Sequence, residues 1–444
     1  MKKNTGGSEM WIKNAMVYTK DHKFEKADIQ VEGEYIAQVM SDGSCMQERA
    51  AGLIEADIHI TNPTEIDADG LYAIPGLVDI HFHGAMGHDF CTATVDELEK
   101  IAEHEAEHGI LAICPATMSY SEEILGNIMD KTRAYKQRQD AVNQTQDTEH
   151  SAICADLVGI HMEGPFISRK KAGAQNPEYI QPADVEMFRR LQERSGCLIR
   201  LVDLAPEEPG AMSFIEQSHN EVKISLAHTC CTYEIAKKAF ATGAGHLTHM
   251  YNGMPDISHR EPGPILAAVE AGADAELIAD GIHNHPASVR MAFQLFGAGR
   301  MILISDSMEA TGLADGDYHL GGQKVTVQGK KAVLTDHPDT IAGSVTNLYD
   351  CMVNCVQHMG IPLEDAIRAA AENPARAIGI DDKYGKIAPG QYGNILLVDK
   401  ELHLQGIIHR ENCKSGSNRI DQSFQKKHFQ IQGTEKARFS PSPS

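Results

Sequence analysis

The sequence lacks long hydrophobic runs and is poor in basic residues. No apolar stretch in its 444 residues approaches the ~18 that a membrane-spanning helix needs, and residues 1–10 contain two lysines but no apolar core of a secretion signal. With 40 Lys and Arg against 62 Asp and Glu, the net charge is −22. Such a surplus of negative charge repels the phosphates of nucleic acids and lipid headgroups. We therefore expect a soluble cytoplasmic protein without nucleic-acid or membrane partners.

The chain also lacks paired cysteines. Its ten cysteines contain no Cys-x-x-Cys spacing, which argues against both a zinc knuckle and a disulfide framework. At roughly 150 residues per domain, the length corresponds to two or three domains, or to one large α/β barrel with an appendage.

The hydrophobic pattern changes along the chain. Alternating residues between Trp11 and Val39 predict β-hairpins, whereas beyond residue 76 short apolar runs alternate with amphipathic helical segments. Capping-box spacings, Thr94 with Glu97 and Ser119 with Glu122, predict the starts of two of these helices. The eight apolar runs are LVDIHFH (77–83), ILAICPAT (110–117), DLVGIHME (156–163), CLIRLVDLAP (197–206), KISLAHT (223–229), HLTHMYN (246–252), ELIADGIH (276–283) and MILISDS (301–307).

Eight strand-plus-helix units over about 230 residues are typical of a (β/α)8 barrel. We therefore predict an α/β fold with a TIM-like catalytic barrel over residues 75–380. Residues 10–74 and 381–413 are predicted to form a small β-sandwich domain, because both segments read as strands and turns. The polar residues 414–444 have little periodicity and are predicted to be a disordered tail.

Histidines and carboxylates lie at the ends of the predicted barrel strands, which is where barrel enzymes have their active sites. His81 and His83 close the first strand, and because alternate residues of a strand point to one side, both imidazoles can face the barrel axis. The other strand-end residues are Glu163, His228, His249, His283 and Asp306. Any single one of the 22 histidines would more often be a surface or core residue. Together, imidazoles and carboxylates predict a hydrolytic site for Zn, Fe or a similar divalent ion.

Several segments carry a family resemblance. PGLVDIHFHG (75–84), GIHMEGPFIS (159–168), SLAHT (225–229), ADGIH (279–283) and ISDSMEATG (304–312) resemble the amidohydrolase superfamily. HMEGPF, HMYNGM (249–254) and REPG (260–263) resemble more specifically its amino-sugar phosphate deacetylases. The similarity covers roughly residues 10–400.

The resemblance implies roles for individual residues. The principal metal site would be formed by Glu163, His228 and His249, and a second site, absent from some members, by His81 and His83, with Glu163 bridging. Asp306 would be the catalytic carboxylate beside the metal. One or two divalent ions per subunit are implied, as Zn, Fe, Mn or Co. The implied substrate-binding residues are Gln175, Asn252, Gly253, Arg260 and His283, of which Gln175 stands where the family often has histidine.

The implied reaction is removal of acetate from N-acetylglucosamine 6-phosphate, which gives glucosamine 6-phosphate in amino-sugar catabolism and cell-wall recycling. Asp306 would accept a proton from water and pass it to the departing amine. Arg260 would hold the phosphate through its planar fork, within its own subunit or across the interface of an expected homodimer.

Three alternatives stay open. The substrate could be the galactosamine epimer, or the protein could be an amidohydrolase acting on a cyclic amide, although such relatives usually have a carboxylated lysine where Glu163 stands. It could also be a non-catalytic scaffold that binds the sugar phosphate. Such a scaffold would be expected to have lost a metal ligand or Asp306, and none is lost here.

Overall fold

The computed structural model describes residues 9–41, 59–62, 65–145, 153–410 and 412–415. Most of the predicted tail at 414–444, and residues 42–58 of the predicted N-terminal segment, lie outside this range. Among the described residues, no helix has both the length and the apolar content to cross a membrane.

The N-terminal segment consists of strands, as its alternating pattern predicted. They are β1 (Glu9–Tyr18), β2 (Phe24–Glu32), β3 (Tyr35–Ser41), β4 (His59–Asn62), β5 (Glu65–Asp67) and β6 (Tyr72–Pro75). β1 and β2 pair antiparallel, with Ile12 opposite Ile29, and β3 continues the meander. The inward-facing apolar residues of these strands form a hydrophobic cluster of their own.

Strands and helices alternate in the central region, and its strands pair parallel apart from one short antiparallel pair, Gly84–Ala85 with His88–Asp89. Its strands are β7 (Leu77–Asp79), β8 (Gly84–Ala85), β9 (His88–Asp89), β10 (Ile110–Ile113), β11 (Asp156–Leu157), β12 (Ile160–Met162), β13 (Ile199–Leu204), β14 (Lys223–Leu226), β15 (His246–Leu247), β16 (Asp274–Ile278) and β17 (Met301–Ile304). Its helices are α1 (Val95–Glu107), α2 (Glu122–Thr145), α3 (Val185–Ser195), α4 (Ala211–Ser218), α5 (Tyr233–Thr242), α6 (Gly263–Ala271) and α7 (Pro286–Phe296).

Each of the eight predicted apolar runs contains a strand, and the third is divided into β11 and β12. The parallel sheets run β11–β10–β7 and β12–β13–β14–β15–β16–β17, and a parallel bridge between Ala116 and His161 connects them. Backbone hydrogen bonds also join the segments that follow β17 and β7, from Asp306 N to His81 O (2.9 Å) and from His83 N to Ser307 O (2.7 Å). The result is a curled parallel α/β sheet whose strands are buried on both faces, which explains their nearly continuous apolar sequences.

Helix starts follow local capping chemistry. Thr94 and Glu97 form the predicted capping box at the start of α1. The second prediction is wrong: α2 begins after Ser121, whose hydroxyl accepts from Ile124 N (3.4 Å). Ser119 is buried, and its backbone N–H donates to the side chain of Gln175 (2.6 Å). Tertiary contact at Ser119 therefore displaced the cap by two residues.

The last third of the chain returns to antiparallel strands. An antiparallel sheet contains β18 (Gly316–Leu320), β19 (Gln323–Gln328), β20 (Lys331–Leu334) and β21 (His337–Ile341). Helices α8 (Leu348–Gln357), α9 (Leu363–Ile367) and α10 (Asn373–Ala377) follow, with a π-helical turn at Arg368–Glu372. The final strands are β22 (Asn394–Val398), β23 (Leu404–His409) and β24 (Asn412–Ser415). Because β22 pairs with β6, segments before and after the parallel region share one nine-stranded sheet.

Candidate active site

Six side chains meet at the carboxyl ends of the parallel strands. His81 and His83 follow β7, and the other four residues each follow a different strand: Glu163 after β12, His228 after β14, His249 after β15 and Asp306 after β17. All six are buried. In a parallel sheet these strand ends lie at one edge, so residues far apart in sequence come together there. The predicted convergence of these six residues is present in the structure.

Glu163 lies between two groups of histidines. Its Oε1 is 2.9 Å from His228 Nε2 and 3.2 Å from His249 Nε2. Its Oε2 is 3.4 Å from His83 Nε2 and 3.6 Å from His81 Nε2. Asp306 Oδ1 faces the second group, at 3.3 Å from His83 Nε2 and 3.8 Å from His81 Nε2. One carboxylate therefore faces both groups with different oxygens.

The donor set fits a divalent cation. His81 Nε2 and Glu163 Oε2 are buried and have no hydrogen-bond partner among the described residues, which is unusual for polar atoms in a protein interior. Ligand atoms of His81, Glu163 and His249 lie within 4.8 Å of one another, as do those of His81, His83 and Asp306. Imidazole nitrogens and carboxylate oxygens in such a cluster are typical ligands of Zn and other divalent transition metals.

The nitrogen of each imidazole that faces away from the cluster is held by an oxygen. His228 Nδ1 donates to Lys171 O (2.7 Å), His249 Nδ1 to Asn252 O (3.2 Å), His83 Nδ1 to Ala116 O (3.3 Å) and His81 Nδ1 to Glu276 Oε2 (3.0 Å). A carbonyl oxygen and an ionised carboxylate can only accept, so each of these rings has a proton on Nδ1. With Nδ1 engaged in this way, Nε2 is the nitrogen of each ring that would bind a metal, which is the tautomer that metal ligation requires.

Charge in the cluster is balanced locally. Burial disfavours the ionised form of Glu163 and of Asp306, but hydrogen bonds and charges from the histidines outweigh it. The pKa of Glu163 consequently lies well below its usual value, and that of Asp306 is also lowered. Burial likewise opposes protonation of His83, yet the neighbouring carboxylates raise its pKa. Both carboxyl groups are therefore ionised near neutral pH.

Three of the six residues have a left-handed backbone. The φ angles are 41° at His228, 28° at His249 and 49° at Asp306. A non-glycine residue in this region costs of order 1–3 kcal/mol, and such residues cluster at functional sites. The chain therefore maintains strained backbone where these side chains converge.

The predicted substrate residues Gly253 and Asn252 line the His228 and His249 side of the cluster. A Cβ at Gly253 would lie 3.0 Å from His228 Nδ1, and the φ of this residue is +64°. Only glycine fits this position without strain. The half-buried Asn252 supplies the carbonyl that holds His249.

The other three predicted substrate residues are Gln175, His283 and Arg260, and none of their side chains hydrogen-bonds to the six clustered residues. Gln175 is buried, and Gly173, two residues earlier, packs against the His228 ring. His283 Nδ1 bonds to Asp280 Oδ2 at 2.8 Å. Burial opposes its protonation, but Asp280, and then Asp306, raise its pKa. The Arg260 side chain is exposed and makes no hydrogen bond or ion pair with the described residues.

Sequence reasoning missed Glu276 and Asp280. Glu276 lies within β16 rather than at its end, is fully buried, and bonds to His81 and His246 (3.0 Å each). The sequence did contain a signal for Glu276, because a carboxylate inside an apolar strand is buried and therefore needs buried hydrogen-bond partners. His161, inside β12, is also buried, and its ring nitrogens bond to Ile80 O (3.0 Å) and Asp203 Oδ1 (2.9 Å).

Comparison with known proteins identifies the family. The model of the amidohydrolase family matches residues 72–434. A Bacillus subtilis (strain 168) N-acetylglucosamine-6-phosphate deacetylase is 36% identical over 351 residues, which cover 79% of this chain and 86% of the relative. An Escherichia coli O157:H7 N-acetylgalactosamine-6-phosphate deacetylase is 33% identical, covering 78% and 87% respectively.

A solved structure shows the same similarity. It is a variant of N-acetyl-D-glucosamine-6-phosphate deacetylase from Mycobacterium smegmatis in complex with N-acetyl-D-glucosamine-6-phosphate. The TM-score is 0.79 at 28% sequence identity, with 92% of this chain and 99% of that chain covered. The present chain belongs to the amidohydrolase family, as its motifs predicted. Within that family its relatives include deacetylases of N-acetylated amino-sugar 6-phosphates, which confirms the more specific resemblance.

Proposed function

We propose that this protein hydrolyses the acetamide of N-acetyl-D-glucosamine 6-phosphate, releasing acetate and D-glucosamine 6-phosphate for amino-sugar catabolism and cell-wall recycling in the cytoplasm. The observation that carries the proposal is the meeting of His81, His83, Glu163, His228, His249 and Asp306 at one edge of the parallel sheet. The names of the relatives support the substrate, and family membership supports metal-dependent amide hydrolysis.

Two groups of side chains would hold the metal. Glu163, His228 and His249 form the principal site, and His81 and His83 form a second site that shares Glu163 and lies beside Asp306. Zn, Fe, Mn and Co all suit this donor set, with one or two ions per subunit. A bound divalent ion supplies Lewis acidity, which lowers the pKa of water and polarises the acetyl carbonyl.

Asp306 would move the proton. Its carboxylate is ionised, because the neighbouring histidines lower its pKa, and it can therefore accept a proton from the attacking water. The amide nitrogen must be protonated to leave as an amine, and the same carboxyl group can donate that proton. His283, positioned by Asp280, would lie beside the substrate.

Arg260 would recognise the phosphate. Its guanidinium is exposed and makes no hydrogen bond or ion pair with the described residues, so it is free to pair with an anion. Asn252 and Gly253 would approach the sugar phosphate from the His249 side, and Gln175 would contact the sugar. We propose a homodimer in which Arg260 serves its own site or that of the partner subunit.

We also propose the domain division inferred from the sequence: a closed (β/α)8 barrel over residues 75–380, with a β-sandwich built from 10–74 and 381–413. The hydrogen bonds between the segments after β7 and β17 support barrel closure. Pairing of β6 with β22 supports the joint terminal domain.

The galactosamine epimer is the second candidate substrate, since the Escherichia coli relative bears that name. Purified protein should be incubated with each acetylated sugar phosphate, and free amine and acetate measured with and without a chelator. We expect faster release from the glucosamine substrate, loss of activity on chelation, and recovery on adding a divalent ion. Faster release from the galactosamine substrate would reverse the assignment. Binding without amine release would indicate the non-catalytic scaffold.

A further inference from the structure

Glu276 hydrogen-bonds to the ring of one proposed metal ligand and to the backbone of another. Its side chain is fully buried within β16. Oε2 is 3.0 Å from His81 Nδ1 and 3.3 Å from the backbone nitrogen of His249, and Oε1 is 3.0 Å from His246 Nε2. Both carboxylate oxygens of Glu276 therefore accept hydrogen bonds.

The proton positions around Glu276 follow from the available partners. His246 Nδ1 is buried and has no partner in the described part of the chain, so a proton there would be an unpaired donor, and the proton belongs on Nε2 facing Glu276. His81 donates its Nδ1 proton to the other oxygen. Nε2 of His81, which has no hydrogen-bond partner among the described residues, then offers its lone pair to a cation.

The neighbouring histidine does not compete for this role. His161 Nδ1 lies 3.8 Å from Glu276 Oε1, but it donates to Ile80 O at 3.0 Å, and its Nε2 faces Asp203. A cation among His81, His161 and Glu276 is therefore disfavoured, because His81 Nδ1 bonds to Glu276 and both ring nitrogens of His161 bond to other oxygens. The contacts of Glu276 point to support of His81 instead.

We propose that Glu276 is a positioning residue for the second metal site, acting through His81. This inference rests on the proposed function, because it requires a metal at the cluster. The carboxylate fixes the His81 tautomer and ring orientation, and its negative charge makes Nε2 a stronger ligand. Backbone carbonyl oxygens accept the Nδ1 proton of His83, His228 and His249. Of the four histidines, His81 alone is therefore held by a side chain, which substitution can remove.

The test is a titration of metal-free protein with Zn²⁺ in competition with a chelating dye, combined with elemental analysis. In Glu276→Gln, the affinity for the second Zn²⁺ ion should fall about 10–100-fold, the range typical of losing a residue that supports a metal ligand. The affinity for the first Zn²⁺ ion should change little. The matched control is Asp203→Asn. That carboxylate is equally buried and bonds to His161 and Thr248, but it contacts no proposed ligand. The Asp203→Asn variant should bind the second Zn²⁺ ion with the same affinity as the wild-type protein.

A double variant separates positioning from a general structural effect. In a His81→Ala background, Glu276→Gln should not weaken binding of the remaining ion further. If Glu276→Gln does not fold, as judged by circular dichroism, Glu276→Asp serves the same test because it withdraws the carboxylate by one methylene. Its second ion should then bind more weakly, and melting curves report stability separately from metal affinity.

Three results would overturn the inference: wild-type affinity for the second ion in the Glu276 variants, an equal loss in Asp203→Asn, or an undiminished effect in the His81→Ala background. Deacetylation by the wild-type protein tests the proposed function independently. If the enzyme is active but its affinity for the second ion does not change on substitution of Glu276, this inference alone is refuted. Two-ion binding that depends on Glu276, without any deacetylation, would refute the function alone.

Discussion

Replacing Asp306 by asparagine isolates proton transfer from the other roles of this position. The side chain lies with Oδ1 at 3.3 Å from His83 Nε2 and 3.8 Å from His81 Nε2. Asparagine keeps this shape and one acceptor oxygen. It also tolerates the left-handed backbone, φ 49°, better than most residues do. We therefore expect Asp306→Asn to fold normally and to retain its metal.

The expected loss of turnover follows from what the amide cannot do. The lowered pKa of Asp306 keeps it ionised and ready to accept a proton, whereas an amide neither accepts nor returns one near neutral pH. General acid–base catalysis is typically worth 10²–10⁴-fold. At about 1.36 kcal/mol per factor of ten, this raises the barrier by about 2.7–5.4 kcal/mol. The loss should appear in kcat, because binding contacts are preserved.

The assay is steady-state release of free amine, with metal content and a melting curve measured on the same preparation. The control is Asp280→Asn, which removes a carboxylate that contacts His283 rather than the metal ligands. It should affect turnover less than Asp306→Asn does. Wild-type turnover in Asp306→Asn would refute the catalytic assignment. Loss of an ion together with turnover would show that Asp306 acts chiefly as a ligand.

Three further predictions address the second metal, the phosphate and acid–base stability. Replacing His81 and His83 together by alanine should remove one ion and leave measurable turnover, as elemental analysis and the amine assay would show; loss of both ions would contradict the division into two sites. Arg260→Ala removes a charge-assisted contact worth about 1.5–3 kcal/mol, so KM for the phosphorylated sugar should rise ten-fold or more. Unphosphorylated N-acetylglucosamine should be nearly unaffected, and equal losses on both sugars would place the phosphate site elsewhere. Glu105 is fully buried with neither oxygen hydrogen-bonded to a described residue, and burial, followed by the charge of Asp79, raises its pKa well above the usual value. Its folded-state pKa thus exceeds its unfolded one, so its contribution to stability is full below the unfolded pKa, about 4.3, and is lost as pH rises through the folded pKa. Urea unfolding of Glu105→Gln should therefore show a smaller decline in stability between pH 5 and pH 8 than wild type, and parallel profiles would refute this.

The sequence predicted the parallel strands and the six clustered side chains for related physical reasons. Strands buried on both faces must be apolar throughout, so Ile110–Ile113 stands out from the amphipathic helix before it. In a parallel sheet, the residues that follow the carboxyl ends of the strands all lie at the same edge. A polar residue directly after an apolar run, such as Glu163 or Asp306, can therefore be placed in the site without knowledge of long-range contacts.

The supports of the ligands could not be predicted in the same way. His228 is held by the carbonyl of Lys171 and His83 by that of Ala116, and every residue carries a carbonyl, so the sequence does not mark these two. Glu276 was visible as a charge inside a strand, but its partner His81 lies 195 residues away. Spacing along the chain contains no information about that pairing.

The two proposed metal sites differ in how their ligands are held. At the principal site, His228 and His249 donate to neutral carbonyl oxygens, both supplied by loops next to the strand ends. At the second site, His81 donates to a buried carboxylate from a different strand. A carboxylate acceptor increases the basicity of an imidazole more than a carbonyl does, and it is more easily lost by substitution. Occupancy of the second site should therefore vary with the residue at position 276, whereas the two histidines of the first site are held by backbone carbonyls, which substitution of a side chain does not remove.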